Sequence, residues 1–330
     1  MYSLKLFYVQ FGFTMKSKYK DPESVKNIAV IGGGVIGVGW ASFFTANNYS
    51  VKIFEPYEEN FEYIIESFNR SLSFLLDSGL SNIEKFTNPI ISKDLKYVVK
   101  GADFIQECAP DKLSIKQNLF NNLDEAAEDH IPIATSTSSL LVTPLQKNCK
   151  SAKRYFTGHP YNPVTLIPLV EVSGGDLTDP YILEWAISFY KLSGKSPIKL
   201  KREISGHIAG RLSAALWQEA VHLLAEDIAD VGTIDSAVVN GPGLRLATMG
   251  PHMIYHLAGG AGGIKHYLDH LGESQKKRWL SLGKPELDDE LRDRLIKEIE
   301  KSSNRKDIKE LESYRDKELI KILKSRLANK

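Results

Sequence analysis

The chain is predicted to fold as an α/β domain built on a doubly wound sheet, followed by an all-α C-terminal domain. Three observations predict it. The apolar run Ile28-Ala29-Val30-Ile31 leads into glycines spaced G-x-G-x-x-G, a helical stretch, and a second apolar run at residues 51–54. Strand and helix patterns then alternate as far as Leu200. From Ile204 onward the pattern is helical throughout.

The glycine-bearing element comes first. Its opening run has the length and β-branching of a buried strand. Gly32 allows the tight turn out of that strand, Gly34 leaves the backbone open to a pyrophosphate, and Gly37 lets the helix pack close to the strand. Val35 and Ile36 open the helix, where unpaired N–H groups and the positive dipole end favour phosphate. Glu55 closes the second run, 18 residues after Gly37. A carboxylate there accepts both ribose hydroxyls and repels a 2′-phosphate, so the site is a Rossmann-type one for NAD. Residues 27–51 carry no charge, but five glycines, polar Asn47, Asn48 and Ser50, and the lack of a basic flanking cluster argue against a membrane span.

The remaining elements follow in order. A polar-faced helix runs over residues 58–77 and Gly79 ends it. Residues 81–102 are mixed, and 103–107 read as a strand end leading into a helix. Residues 131–134 form a short strand, and Ser136-Thr137-Ser138-Ser139 caps a helix to about Lys147. Strands at 155–158 and 167–172, a helix at 180–193 and a strand at 196–200 complete the layer. The NAD-binding domain therefore spans residues 26–203 and the helical domain 204–330. Residues 204–230 alone are long enough for about seven turns. Glycine-rich connections lie at 240–243 and 259–263. The charged tail has Leu287, Leu291, Leu295 and Ile299 on one face and reads as a solvated helix.

Composition narrows the function. A chain of 330 residues can bury a sizeable core in two domains. A formal net charge of +1 points to neither nucleic acid nor an acidic surface as partner. Two cysteines, Cys108 and Cys149, suit a reducing compartment, and there is no C-x-x-C and no metal-ligand cluster. The opening MYSLKLFYVQFGFT is apolar and aromatic, with one lysine and no small-residue cleavage site. Residues 1–25 are read as a dispensable extension, Met15 as the functional start, and the cytoplasm as the compartment.

The second informative stretch is GHPYNPVTLIPLVEVSGG, residues 158–175. His159 and Glu171 are 12 apart, on successive strands joined by a proline-bearing turn. Such a turn brings a carboxylate onto an imidazole, orients the ring and suits it to act as a general base. A lone histidine is more often structural, but its pairing with Glu171 favours catalysis. Ser138, on a loop after a strand, offers a hydroxyl to a substrate oxygen or caps a helix.

STSS at 136–139, GHPYNP at 158–163 and PLVEV at 168–172 follow the glycine motif in order and spacing. On these motifs the chain resembles the 3-hydroxyacyl-CoA dehydrogenase superfamily from about residue 26 to about 270. The resemblance implies a catalytic set of Ser138, His159 and Glu171. It implies NAD-side polar residues at Glu55, Glu107, Lys116 and Ser136, and a homodimer formed through the helical domain.

Gly210-Arg211 departs from the acyl-CoA enzymes, which place an asparagine before that arginine. The stretch GPGLRLATMGPHMIYHLAGG resembles instead the branch acting on free 3-hydroxy acids. That branch implies oxidation of the 3-hydroxyl of a small free acid, L-carnitine before L-gulonate, with 3-hydroxybutyryl-CoA as the thioester alternative. Within the same stretch, Arg245 is the expected carboxylate anchor. Tyr161 is the first aromatic candidate for a trimethylammonium group, with Trp217 and Tyr255 behind it.

Overall fold

The structure, a computed structural model, describes residues 18–81, 83 and 86–328. They fall into two compact units, one ending at Ala209 and the other beginning at Gly210.

The first unit holds an eight-stranded sheet in the order β3-β2-β1-β4-β5-β6-β7-β8. β1 (Asn27–Ile31) is buried on both faces after Asn27, which is why its apolar run is continuous. α1 (Val35–Ala46) carries no charge because nearly all of it is buried, including Trp40 and Phe44. β2 (Ser50–Phe54) follows. α2 (Phe61–Asp77) buries Ile64, Phe68, Leu72 and Leu75, one stripe at helical spacing. It starts three residues later than expected, because residues 58–60 form a 3-10 turn. Gly79, at φ +66°, ends it in the left-handed conformation.

The stretch read as mixed contains β3 (Ile90–Ser92) and a short α3 (Leu95–Val99), whose first turn is capped by Asp94. β4 (Phe104–Glu107), α4 (Leu113–Ala126), β5 (Ile133–Thr135) and α5 (Val142–Gln146) continue the layer. β6 (Tyr155–Pro160), β7 (Leu169–Ser173), α6 (Pro180–Leu192) and β8 (Ser196–Lys199) complete it.

The chain winds outward from β1 to β3, then returns to place β4 on the other side of β1. All pairings are parallel except β6 with β7. The carboxyl ends of β1 and β4 thus flank the point where the winding reverses, the usual place for a nucleotide crevice. One face of the sheet packs Ile105, Phe120, Leu123 and Ile133 into a core. The other carries an aromatic cluster, with Trp40 stacked on Phe44 at 4.9 Å and Phe104 against Phe189 at 4.6 Å. Burying each such ring stabilises the unit by roughly 1.5–3 kcal/mol.

Of the expected N-terminal extension, residues 1–17 lie outside the described residues. Tyr19 is buried and stacks on Tyr181, and the Trp185 indole donates to the Lys20 carbonyl at 2.6 Å. Those residues pack as part of the first unit.

The second unit is helical. α7 (His207–Ala225) is 19 residues long, about five turns rather than the expected seven. Gly206 and His207 have positive φ and delay its start; Asp227, also at positive φ, breaks the chain after it. Asp230 then caps α8 (Val231–Asn240) by accepting from the Thr233 N–H at 2.7 Å. α9 (Pro242–Leu246), α10 (Pro251–Ala258), α11 (Gly263–Ser281), α12 (Asp289–Ser302) and α13 (Ile308–Ala328) follow. Of the expected apolar stripe in the tail, Leu291 is buried, whereas Leu287 precedes α12 and Ile299 is exposed. Among the described residues, no helix is long and apolar enough to cross a membrane.

Candidate active site

The glycine turn has the geometry of a phosphate cradle. Gly32 stands at φ +113°, and its N–H donates to the Phe54 carbonyl at 2.9 Å, joining the turn to β2. A Cβ on Gly37 would lie 1.8 Å from the Gly32 carbonyl oxygen, so α1 sits directly on the turn. A Cβ on Gly34 would meet nothing within 4 Å. This open side faces the first turn of α1, where Val35 and Ile36 present backbone donors with no helical acceptor. Glu55 is buried beside it: Oε2 accepts from the Gly33 N–H at 3.1 Å, and Oε1 from Asn60 Nδ2 at 3.0 Å. An open backbone, a bare helix N-terminus and a carboxylate at the end of β2 fit a dinucleotide.

Glu107 is brought next to the turn because it pairs with Ile31 across β4 and β1. Lys116 Nζ donates to both Glu107 carboxylate oxygens at 2.8 Å, and Thr135 Oγ1 donates to one of them at 2.5 Å. Both charges are fully buried and neutralise each other, as interior charges must. Ser136 likewise turns its hydroxyl inward, accepting from Gln106 Nε2 at 2.8 Å and Trp40 Nε1 at 3.2 Å. The structure therefore engages the polar groups of all three inside the unit.

The pairing of His159 with Glu171 arises from strand register. β6 and β7 are antiparallel, with His159 directly opposite Glu171. Side chains at directly opposed positions share a face, and His159 Nδ1 lies 3.0 Å from Glu171 Oε2. The other carboxylate oxygen, Oε1, accepts from the first N–H groups of α7, Ile208 at 2.8 Å and Ala209 at 3.0 Å. Burial would push the Glu171 carboxyl up. The hydrogen bonds from His159, Ala209 and Ile208, together with the imidazole's charge, outweigh it and hold the group below the usual range. An ionised Glu171 places the proton on Nδ1 of His159 and leaves the lone pair on Nε2.

Ser138 is exposed on the loop after β5. The expected helix over 136–147 is shorter: it begins at Val142, and the Glu203 carboxylate accepts its first N–H groups, from Val142 at 2.7 Å and Thr143 at 3.2 Å. The serines bind Asp111 instead. Its carboxylate accepts from Thr137 Oγ1 at 2.5 Å, from Ser139 Oγ at 2.9 Å, and from both the N–H (3.1 Å) and Oγ (3.2 Å) of Ser138. Desolvation raises the Asp111 carboxyl. Hydrogen bonds from Thr137 and Ser139 and the nearby Lys116 ammonium lower it further than that, leaving it below the usual range.

Sequence reading missed Asp111, whose only local signal is a Pro-Asp turn. It also missed His207, which is buried, bonds the Thr137 carbonyl and lies tilted against the His159 ring.

Tyr161 lies half-buried just past the end of β6. In the second unit, Arg245 is exposed on α9, Trp217 is exposed on α7, and Tyr255 packs edge-on against Tyr267 at 5.2 Å.

Known proteins resemble this chain over most of its length. The family model "3-hydroxyacyl-CoA dehydrogenase, NAD binding domain" matches residues 27–204. The model "3-hydroxyacyl-CoA dehydrogenase, C-terminal domain" matches residues 206–288. An L-carnitine dehydrogenase of Streptomyces coelicolor is 39% identical over 92% of this chain and 96% of its own length. One from Bacillus cereus is 37% identical over 91% and 92%.

Among solved structures, a 5-formyl-3-hydroxy-2-methylpyridine 4-carboxylic acid 5-dehydrogenase superposes with a TM-score of 0.78 over 90% of this chain and 97% of its own. At 23% identity it bears on the fold alone. The 3-hydroxybutyryl-CoA dehydrogenase of Escherichia coli, 26% identical, gives 0.61 over 71% of this chain and 50% of its own. The chain belongs to the 3-hydroxyacyl-CoA dehydrogenase family and is an NAD-dependent dehydrogenase.

Proposed function

We propose that the enzyme oxidises the 3-hydroxyl of L-carnitine to a ketone, with Ser138, His159 and Glu171 as its catalytic residues. The observation that carries this is the register pairing of His159 with Glu171 beside the serine loop. The relatives named L-carnitine dehydrogenase, matched over nine-tenths of the chain, support the substrate.

NAD, when bound, supplies the hydride acceptor. The chain's own residues do the rest. His159 takes the hydroxyl proton on Nε2 as the hydride leaves C3. Glu171, already ionised, stabilises the imidazolium that forms. The Ser138 hydroxyl turns from Asp111 to donate to the substrate oxygen, while Asp111 keeps the loop in place through Thr137, Ser139 and the Ser138 N–H. The Gly32–Gly37 turn and Glu55 seat the dinucleotide, while Glu107, Lys116 and Ser136 build the wall beside it.

Arg245 is the proposed anchor for the substrate carboxylate, and Tyr161 the proposed aromatic face for the trimethylammonium. In this reading residues 26–203 bind NAD and 204–330 serve substrate binding and dimerisation. The protein works as a homodimer in the cytoplasm, and its use of NAD and two unbridged cysteines support that compartment.

The test is a panel of L-carnitine, L-gulonate and 3-hydroxybutyryl-CoA with NAD, followed by NADH absorbance. L-Carnitine should have the highest kcat/KM; a clear preference for the thioester would overturn the assignment. His159→Ala should lower turnover by about 10²–10⁴-fold with NADH binding retained.

A further inference from the structure

His207 sits at the start of α7 in an arrangement that a plain core residue would not need. Its side chain is 1% exposed. Its backbone is left-handed, at φ +47°, a region uncommon for residues other than glycine, which histidine enters more readily than most, as Asn and Asp do. Nε2 lies 2.9 Å from the Thr137 carbonyl oxygen, so that nitrogen carries the hydrogen and donates. Nδ1 is buried with no hydrogen-bond partner among the described residues. A leucine or phenylalanine would fill the same volume without an orphaned polar atom, and glycine would suit the backbone. A buried polar atom left without a partner is costly, and a residue that carries one is commonly kept for function.

The neighbours say which function. The His207 ring lies 4.6 Å from that of His159, centroid to centroid, with 31° between the planes. Thr137, whose carbonyl it binds, precedes Ser138 in the chain. The next two residues, Ile208 and Ala209, donate to Glu171. Ser205 Oγ donates to the Ser139 carbonyl at 2.9 Å. One five-residue segment thus touches the base, its carboxylate and the serine loop. Burial holds the His207 ring below the usual imidazole range. The Thr137 carbonyl, Glu171 and Asp111 act against that shift, and His159 acts with it. A neutral ring is what the site needs, because a second cation beside His159 would oppose the imidazolium formed in turnover.

We propose that His207 is a positioning residue for this oxidation: its Nε2–H, tied to the Thr137 carbonyl while its ring rests on His159, holds the Ser138 hydroxyl in register with the base. The inference rests on the reading of Ser138 and His159 given above.

The test is a set of substitutions read as kcat and KM with NAD and L-carnitine. His207→Phe keeps the ring and loses the donor. His207→Asn suits the left-handed backbone, but its amide stops short of the Thr137 carbonyl. His207→Gln places an N–H donor where Nε2 stood and loses the ring. His207→Phe and His207→Asn should lower kcat about tenfold or more, with KM for NAD within about twofold, because small misplacements of reacting groups are costly. His207→Gln should recover most of the loss.

In a Ser138→Ala background, His207→Asn should lower kcat by no more than about twofold, since the hydroxyl it positions is gone. Wild-type kcat in His207→Asn, or the same loss with and without Ser138, would overturn the inference. So would His207→Gln performing no better than His207→Asn. If His159→Ala stayed active, the base assignment would fall and this inference with it. If His159→Ala were inactive and His207→Asn unimpaired, only the inference would fall.

Discussion

Glu55 is the residue proposed to set cofactor choice, through one carboxylate. It is buried at the end of β2, with Oε2 against the Gly33 N–H, where the adenosine ribose of a dinucleotide sits in this fold. A 2′-phosphate would face a like charge at short range. Glu55→Ala should therefore narrow the preference for NAD over NADP, measured as the ratio of kcat/KM values; an unchanged ratio would remove Glu55 from that role.

Lys195 makes a separate prediction. Its ammonium is buried and donates to the Val164 and Ile167 carbonyls, and burial brings its pKa down to about 7. An unfolded lysine titrates near 10.4. Between those values the unfolded chain binds the extra proton, so stability should rise from about pH 7 to about pH 10. The Phe43 ring, 4.1 Å from Nζ, favours the charged form and narrows that window. Lys195→Met removes the titration. Urea unfolding of both proteins across this range should show wild type gaining on the variant as pH rises, and parallel curves would count against it. Such buried contacts were not legible in the sequence, because Lys195 meets carbonyls 31 and 28 residues away.

Among the elements, the junction of β1 and α1 leaves little room for change. Gly37 packs with no room for a methyl group, since a Cβ would be 1.8 Å from the Gly32 oxygen, a rigid backbone atom. Gly37→Ala must push α1 off the turn. It should lower stability by about 1–3 kcal/mol or more and weaken NADH binding, read by the melting temperature and by fluorescence titration. A variant with unchanged melting temperature would show that the helix shifts without strain. This junction was legible because its physics is local, within six residues of one turn. The start of α5 was not: its donors are met by Glu203, about 60 residues away, while the serines expected to cap it serve Asp111. α7 was misjudged in length because positive-φ residues at both ends carry no apolar signal.

At the scale of the whole molecule, the second unit leaves many large apolar side chains exposed, among them Leu212, Trp217, Leu244, Leu268 and Trp279. Apolar surface of this kind, where contiguous, serves association, and it supports the proposal of a homodimer. The proposed homodimer should appear as a species of twice the chain mass in sedimentation at micromolar concentration. A monomer under those conditions would refute it. Replacing Trp279 with Lys should weaken association if that face is used.

What the sequence determined by itself is what nearest-neighbour physics writes into it. The buried strand, the glycine turn, the acid at the end of β2 and the switch to helical periodicity each depend on residues a few positions apart. The pair His159 and Glu171 was readable for the same reason, because two short strands and a turn separate them and the antiparallel register does the rest.

Only the tertiary structure decided how the serine loop is held. Asp111 reaches Ser138 and Ser139 across 27 and 28 residues, and His207 reaches Thr137 across 70. Those contacts exist because the sheet order sets the end of β5 beside the end of β4, and because the chain leaving β8 returns to them at the start of α7. Hydrogen bonds of that range leave no periodic trace in the sequence, since their partners are chosen by where the sheet places them.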